Sequence, residues 1–160
     1  MSVQYPIHME IAGRICVIIG GGRVAERKAQ LLLQAGAHLT VIAPSLTNPL
    51  YQEAATGCFF WLARPYEAGF LRRVRPFLVF CTTDNHAVNR LAAEEAREAC
   101  ALVNVADEPG LSDFFVPASI RRGKFLLSIG TGGLSPAFSR CLRGQLEQAF
   151  PPAFGLWLER

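Results

Sequence analysis

The residues best suited to do chemistry are three consecutive glycines that end the first apolar run. The segment that contains them reads Gly20, Gly21, Gly22, Arg23, Val24 and Ala25. It matches G-x-G-x-x-G/A, directly after a strand-like run and at the start of a helix-like segment. Glycine lets the backbone approach a pyrophosphate closely, and a helix N-terminus offers unpaired N–H groups. The segment predicts a dinucleotide-binding loop; the alternative is a tight strand-to-helix turn without a ligand.

Polar residues follow three of the strand-like runs. They are Ala43, Pro44 and Ser45; Thr82, Thr83, Asp84 and Asn85; and Asn104 with Asp107. Because ligands bind at the carboxyl ends of strands in open parallel sheets, these groups are expected at one edge. The first two groups, together with Asn104, are predicted to contact the dinucleotide. Asp107 is predicted at the rim, where a substrate meets the nicotinamide.

The second strand-like run lacks one feature of the usual NAD fingerprint. An Asp or Glu about 20 residues after the glycines normally binds the ribose 2′-hydroxyl. Here Ala43, Pro44 and Ser45 stand in that place, and an arginine for a 2′-phosphate is missing as well. Ser45 or backbone groups are therefore expected to hold the ribose, and NAD is preferred over NADP.

The elements that position these residues follow a regular alternation. Apolar runs predict strands at 15–19, 38–43, 59–62, 77–81 and 102–105, with helices at 23–35, 50–55 and 85–100 between them. Continuous apolar strands that alternate with helices indicate a Rossmann-type, doubly wound parallel α/β sheet. Residues 1–112 are predicted to form this NAD-binding domain.

The remaining residues are organised differently. Strand-like segments at 113–120 and 125–129 flank a Gly-containing turn, which predicts an antiparallel hairpin. Pro136 suits the first turn of a helix that ends before Pro151 and Pro152. Residues 113–150 are therefore predicted to form a second, small segment made of the hairpin and this helix.

The charge distribution is uneven although the net charge is only +3. Residues 114–146 contain no Asp or Glu, and they include Arg121, Arg122, Lys124, Arg140 and Arg143. Such a local excess suits a polyanionic ligand. A solvated basic face without a ligand is the equally weighted alternative, and the mild net charge does not indicate nucleic-acid binding.

Composition excludes several classes of protein. Of the 160 residues, 51% are hydrophobic and 18% are charged, which is typical of a compact domain with a substantial core. The apolar runs are shorter than the roughly 18–20 residues that a membrane span needs, and we find no secretory signal, so a cytoplasmic protein is expected. The five cysteines and three histidines show no metal-ligand spacing, so no metal site is predicted.

Four segments together resemble the precorrin-2 dehydrogenase / sirohydrochlorin ferrochelatase family, which is also the N-terminal part of multifunctional siroheme synthases. They are PIHMEIAGRICVIIGGGRVAERKAQLLLQAGAHLTVIAP at 6–44, CTTDNHAVN at 81–89, NVADEPGLSDFFVPA at 104–118 and SIGTGGLSPAFSRCLR at 128–143. The resemblance covers nearly the whole chain and is far more specific than the glycine loop alone.

The resemblance implies NAD-dependent oxidation of precorrin-2 to sirohydrochlorin by a homodimer, with ferrous iron as a further substrate if the chain is also a chelatase. The family's essential aspartate, in its N-V-x-D motif, corresponds to Asp107. Residues 113–150 correspond to the dimerisation segment, and 151–160 to the start of a truncated or absent C-terminal helical domain. The glycines of the Thr131, Gly132, Gly133 and Ser135 motif are expected to let the backbone approach the macrocycle. Arg121 and Arg140 are expected to bind its carboxylates.

Two other functions remain open at this point. An NAD-sensing regulatory module without catalysis would share the glycine loop, but such modules usually keep the acid after the second strand. A chelatase without redox activity would not need the loop from Gly20 to Ala25. Neither nucleic acid nor a membrane is expected as a partner.

Overall fold

The computed structural model describes residues 4–106 and 108–157. The chain divides into two compact units, of which the first is His8–Phe115. The second consists of Val116–Arg160 together with Met1–Ile7. In the described part of the chain, no helix is long and apolar enough to cross a membrane.

The first unit is built on a five-stranded parallel sheet in the order β3-β2-β1-β4-β5. Its strands are β1 (Ile15–Ile19), β2 (His38–Ile42), β3 (Phe60–Leu62), β4 (Leu78–Cys81) and β5 (Leu102–Val105). Its helices are α1 (Arg23–Gln34), α2 (Asn48–Ala55), α3 (Phe70–Val74) and α4 (His86–Glu98). The strand order reverses between β1 and β4, so the carboxyl ends of these two neighbours form the topological switch point.

The sheet is buried on both faces, which explains why its strands read as continuous apolar runs. Cys16 and Ile18 of β1 face one core cluster, whereas Val17 and Ile19 face the other. Helix α1 covers the first face with three residues at helical spacing, Ala25, Ala29 and Leu32. Helix α4 covers the second face with Ala92, Ala93 and Ala96, whose small side chains let the helix approach the sheet.

The second unit contains a hairpin of β6 (Ala118–Arg122) and β7 (Phe125–Ile129), followed by α5 (Pro136–Ala149) and α6 (Phe154–Trp157). Arg122 pairs with Phe125, so Gly123 and Lys124 form a two-residue turn, and the glycine takes a φ of +58°. Phe125, Phe150 and Phe154 pack with ring centroids 5.1–5.2 Å apart. This aromatic cluster joins the hairpin to the last two helices.

The hairpin differs from its prediction in one respect. A strand was expected over 113–120 with a turn over 121–124, but β6 begins at Ala118 and continues to Arg122. Pro117 lacks an N–H for the ladder, and Ser112 and Asp113 bond to β5 instead. The predicted fold class, a doubly wound parallel sheet followed by a small hairpin and a helix, is confirmed. The assignment of 1–112, 113–150 and 151–160 to separate functions stays a prediction.

Candidate functional site

The three glycines after β1 have different structural roles. Gly20 has a φ of +120°, and a Cβ there would lie 2.5 Å from Thr82 Oγ1. A Cβ on Gly21 would lie 2.0 Å from the carbonyl oxygen of Ser45. Gly22 has nothing within 4 Å of the corresponding position. The first two glycines therefore allow neighbouring loops to pack together, and the third leaves open space at the start of α1.

The loop after β2 is tied to the glycine loop. Thr47 N donates to Gly21 O at 3.0 Å, and Thr47 Oγ1 donates to Glu26 Oε2 on α1 at 2.6 Å. On the opposite side, Trp61 Nε1 of β3 donates to Ala43 O at 3.0 Å. The segment that carries Pro44 and Ser45 is thus fixed from both sides, and both of these residues are exposed.

The loop after β4 is held by two asparagines. Asn85 caps α4, because its side chain accepts from the backbone N–H groups of Ala87 and Val88. Asn89 is 1% exposed; its Oδ1 accepts from Thr83 N and Oγ1, and its Nδ2 donates to Thr83 O at 2.8 Å. Thr82 Oγ1 donates to Ile19 O at 3.0 Å. These contacts fix the backbone around Asp84.

The three loops surround a cavity of about 660 Å³ at the carboxyl edge of the sheet, within the ordinary range of ligand pockets. Twelve residues predicted as cofactor contacts line it: Gly20, Gly21, Gly22, Arg23, Val24, Ala43, Pro44, Ser45, Thr82, Thr83, Asp84 and Asn85. Asn104 is not among the lining residues. Lining residues that the sequence did not predict include Leu46, Thr47, Pro65, Tyr66 and Val88.

The open end of α1 makes the cavity suitable for a pyrophosphate. Gly22 is the N-cap, and no side chain of the described residues caps this helix. The first N–H groups of the helix are therefore available to an anion, which the helix dipole also favours. Arg23 is exposed at the first position of the helix and adds a positive charge. The cavity and the space over Gly22 thus fit a dinucleotide.

A buried carboxylate supports the cavity wall at Tyr66. Glu95 of α4 is 2% exposed and accepts hydrogen bonds from the Tyr66 hydroxyl, Gly69 N and Arg72 N. Burial acts to raise the pKa of Glu95, but the hydrogen bond from Tyr66 and those from the backbone outweigh it, and the pKa is lowered. Burial, and then the hydrogen bond to Glu95, raises the pKa of Tyr66. Both groups therefore keep their ordinary charge states near neutral pH.

Asn104 lies inside β5 and faces α1. Its Oδ1 accepts from Lys28 Nζ at 2.8 Å, and its Nδ2 donates to Phe114 O at 2.9 Å. Burial, with the charge of Arg27 as a second cause, lowers the pKa of Lys28 to about 8. Asp107, the predicted catalytic residue, lies outside the described residues. Its neighbour Glu108 contacts α4, where His86 Nδ1 lies 2.8 Å from Glu108 Oε1.

The residues predicted to bind the substrate all lie in the second unit. Arg121 and Arg140 are exposed, and neither forms an ion pair with another described residue. Gly132 and Gly133 take φ values of +62° and +82° in the turn before α5. Ser135 caps that helix through Phe138 N. Thr131 Oγ1 is 3.3 Å from Ser139 Oγ and 3.4 Å from Ser135 O, so the turn is held internally.

Comparison with known proteins decides the family. Residues 7–118 match a family model described as "Putative NAD(P)-binding". The chain belongs to this NAD(P)-binding family. The glycine loop and the three loops around the cavity all lie within the matched residues.

The chain is also similar to several siroheme synthases. Siroheme synthase 1 of Aeromonas salmonicida is 39% identical over 150 residues, and siroheme synthase 3 of Aeromonas hydrophila is 40% identical over 150 residues. The siroheme synthase of Methylococcus capsulatus is 41% identical. These matches cover 94% of this chain but only 31–32% of each relative, so the chain spans about a third of their length. The resemblance seen in the sequence is confirmed.

A solved structure shares the fold. The structure titled "SirC, precorrin-2 dehydrogenase" superposes with a TM-score of 0.79 at 24% sequence identity. The match covers 98% of this chain and 76% of the other chain. The parallel sheet of this NAD(P)-binding chain, and the segment that follows it, therefore have a known structural counterpart.

Proposed function

We propose that the chain oxidises precorrin-2 to sirohydrochlorin with NAD as the hydride acceptor. The observation that carries the proposal is the glycine-lined cavity at the carboxyl ends of β1, β2 and β4, in a chain that matches siroheme synthases over 94% of its length. A precorrin-2 dehydrogenase with the same fold supports it. The relatives are about three times longer than this chain, so the decisive experiment uses the chain itself.

The reaction removes one hydride and one proton from the macrocycle. In the proposal, the hydride and the proton are accepted by different groups. The dinucleotide supplies the hydride acceptor when bound. In the proposal, the glycine loop and the N-terminus of α1 hold its pyrophosphate, and Ser45 holds a ribose. Asp107 accepts the proton as a general base. The residues that line the cavity position the cofactor, and Asp107 comes two positions after the end of β5 in the sequence.

NAD is proposed over NADP because the loop after β2 offers no positive charge to a 2′-phosphate. Ala43, Pro44 and Ser45 are uncharged, as are Leu46 and Thr47, which continue the same wall of the cavity. The side chain of Thr47 donates its proton to Glu26, which places a carboxylate beside this loop. A 2′-phosphate there would meet negative charge without a basic partner, whereas a 2′-hydroxyl would not.

The test of the proposal is anaerobic incubation of the full chain with precorrin-2 and NAD, followed by NADH absorbance and the spectrum of sirohydrochlorin. We expect turnover by the wild type and a loss of at least about 100-fold for Asp107→Ala, since a positioned general base contributes about 10²–10⁴-fold. The dissociation constant of NAD should not change in the variant. Wild-type turnover that survives in the variant would exclude the assigned role of Asp107. NAD binding without turnover by the wild type would support a sensing module instead.

Two arginines of the acid-free stretch, Arg121 and Arg140, are proposed to bind the carboxylates of the substrate. Arg121→Glu or Arg140→Glu is expected to raise the KM for precorrin-2 by about tenfold, since a charge-assisted hydrogen bond is worth about 1.5–3 kcal/mol. The KM for NAD should stay the same. Arg143→Glu is the control, because Arg143 already lies 3.9 Å from Glu147 on the same helix. Equal effects on both substrates would contradict the assignment.

Two partners complete the proposal. A homodimer is proposed to form through residues 113–150, where the apolar side chains of Leu134 and Phe138 are 72% and 57% exposed. Sedimentation of the purified chain measures this state directly. Ferrous iron is the second partner, as a substrate for insertion into sirohydrochlorin. The spectrum of siroheme after iron is added under anaerobic conditions tests this second step independently of NADH formation.

A further inference from the structure

The side-chain amide of Asn104 forms a hydrogen bond at each end, with a donor at its oxygen and an acceptor at its nitrogen. Lys28 Nζ donates to Oδ1 at 2.8 Å, and Nδ2 donates to Phe114 O at 2.9 Å. An ammonium group can only donate and a carbonyl oxygen can only accept, so these two contacts fix the orientation of the amide. Asn104, which is 7% exposed, thereby links α1 to the chain segment that returns after β5.

The link helps to hold residues 112–114 against β5, which closes the loop that joins them to this strand. Beside it, Asp113 N donates to Val103 O at 2.8 Å, and Val103 N donates to Asp113 Oδ2 at 2.9 Å. Val105 N donates to Ser112 Oγ at 2.9 Å. The returning segment thus bonds to β5 through one backbone N–H and through the side chains of Asp113 and Ser112, where a further strand would use its backbone alone. The ends of the loop are fixed to the edge of the sheet by these contacts and by Asn104.

The burial of the Lys28 ammonium group lowers the stability of the folded protein. Lys28 lies on the side of α1 that faces the sheet, and its Nζ is 4.7 Å from the centre of the Phe80 ring. Burial lowers its pKa to about 8, which means that the folded state disfavours the charged form. An apolar side chain of similar length would avoid this cost. The contacts that an apolar side chain cannot make are the hydrogen bond to Asn104 and the cation–π contact with Phe80.

We propose that Lys28 is a positioning residue, which orients the amide of Asn104 so that residues 112–114 stay bound to β5 and the loop between them stays closed. Lys28 acts through Asn104 and is not assigned a contact with substrate or cofactor. The catalytic part of this inference rests on the proposed function, because it takes Asp107 as the base. The structural part, closure of the loop by Lys28, does not depend on any reaction.

The test is Lys28→Met, which keeps the length of the side chain and removes the donor. Amide hydrogen exchange of Val105 and Asp113 is expected to become about tenfold faster, as the loss of one hydrogen bond allows. The kcat for precorrin-2 should fall about 10–100-fold, because small misplacements of a catalytic group are costly. The dissociation constant of NAD should stay the same, and the melting temperature should change little, because relief of the burial of the Lys28 ammonium offsets the loss of the donor to Asn104 Oδ1. A variant that is as stable as the wild type but slower distinguishes positioning from a general structural role.

Three further substitutions test the inference. Lys28→Arg keeps a donor and should restore the slow exchange and most of kcat. Gln30→Met is the matched control on the same helix; Gln30 is exposed, and its replacement should leave exchange and kcat unchanged. In a double-mutant cycle with Asn104→Leu, the effects of Lys28→Met on exchange should not be additive, because both changes remove the same contact.

The two readouts separate this inference from the proposed function. Hydrogen exchange needs no substrate, so faster exchange in Lys28→Met supports loop closure even if the wild type fails to oxidise precorrin-2. Unchanged exchange at Val105 and Asp113 would overturn the inference whatever the activity. Faster exchange with an unchanged kcat in an active enzyme would overturn the assignment of Lys28 to positioning of the catalytic loop.

Discussion

Gly21→Ala is expected to destabilise the protein by about 3 kcal/mol or more, at the upper end of what overpacking costs. The added Cβ would lie 2.0 Å from Ser45 O and 2.9 Å from both the Ala43 side chain and Leu46 Cδ2. Neither the glycine loop nor the loop after β2 can retreat easily, because Thr47 N donates to Gly21 O at 3.0 Å. Urea unfolding, followed by circular dichroism, measures the loss of stability.

Gly22→Ala is the matched control. It should leave the stability of the protein nearly unchanged and weaken the binding of NAD. A Cβ at Gly22 meets nothing within 4 Å, and the φ of −84° is one that alanine adopts readily. The free energy of unfolding should therefore change by no more than about 0.5 kcal/mol, as for an unstrained surface change. The methyl group would stand in the space proposed for the pyrophosphate, so NAD should bind at least about tenfold more weakly. If Gly22→Ala binds NAD normally, the pyrophosphate does not lie over the start of α1.

Glu95→Gln is expected to lower the free energy of unfolding at pH 7 by about 3 kcal/mol, the range for removing a buried charge that accepts several hydrogen bonds. An amide in its place has one acceptor oxygen instead of two, yet Tyr66, Gly69 and Arg72 all donate to this side chain. Glu98→Gln is the control on the same helix. Glu98 pairs with Arg72 Nε at 2.7 Å, but both side chains are more than half exposed, so little change is expected.

The effect of Glu95 should depend on pH in a defined direction. Its pKa in the folded protein is lower than the ordinary 4.5, so the folded state binds the proton less well than the unfolded state. The stabilisation is complete above the unfolded pKa and is lost as the pH falls through the folded pKa. The difference between the wild type and Glu95→Gln should therefore shrink below about pH 4, given the ordinary range of glutamate. A difference that stays constant down to pH 3 would contradict the lowered pKa.

The sheet and the cofactor loops could be predicted because their determinants are local. Strands buried on both faces leave continuous apolar runs, as Ile15–Ile19 and Leu78–Cys81 do. Helix α3 was not predicted: it has only five residues, and the acceptor for Gly69 N and Arg72 N is Glu95, more than twenty residues away. Contacts between distant segments leave no local pattern in a single sequence.

The same limit applies inside the site. Nothing in three consecutive glycines shows that Gly21 is packed against Ser45 and Gly22 is open, because the difference depends on a loop that follows another strand. Asn104 was grouped with the polar residues at strand ends, but within β5 it faces α1 and is held by Lys28. Asn89 belongs to the CTTDNHAVN segment, yet its hydrogen bonds to Thr83 depend on how α4 packs beside that loop.

The backbone contacts among the three cavity loops bear on the thermodynamics of ligand binding. Gly20 N donates to Ile42 O at 2.9 Å, Thr82 N donates to Ile19 O at 2.8 Å, and Thr47 N donates to Gly21 O at 3.0 Å. The conformational entropy of these loops is therefore lost when the protein folds and does not have to be lost again on association. Calorimetric titration should accordingly give a small heat-capacity change, set by the ligand surface that is buried and without a contribution from loop ordering.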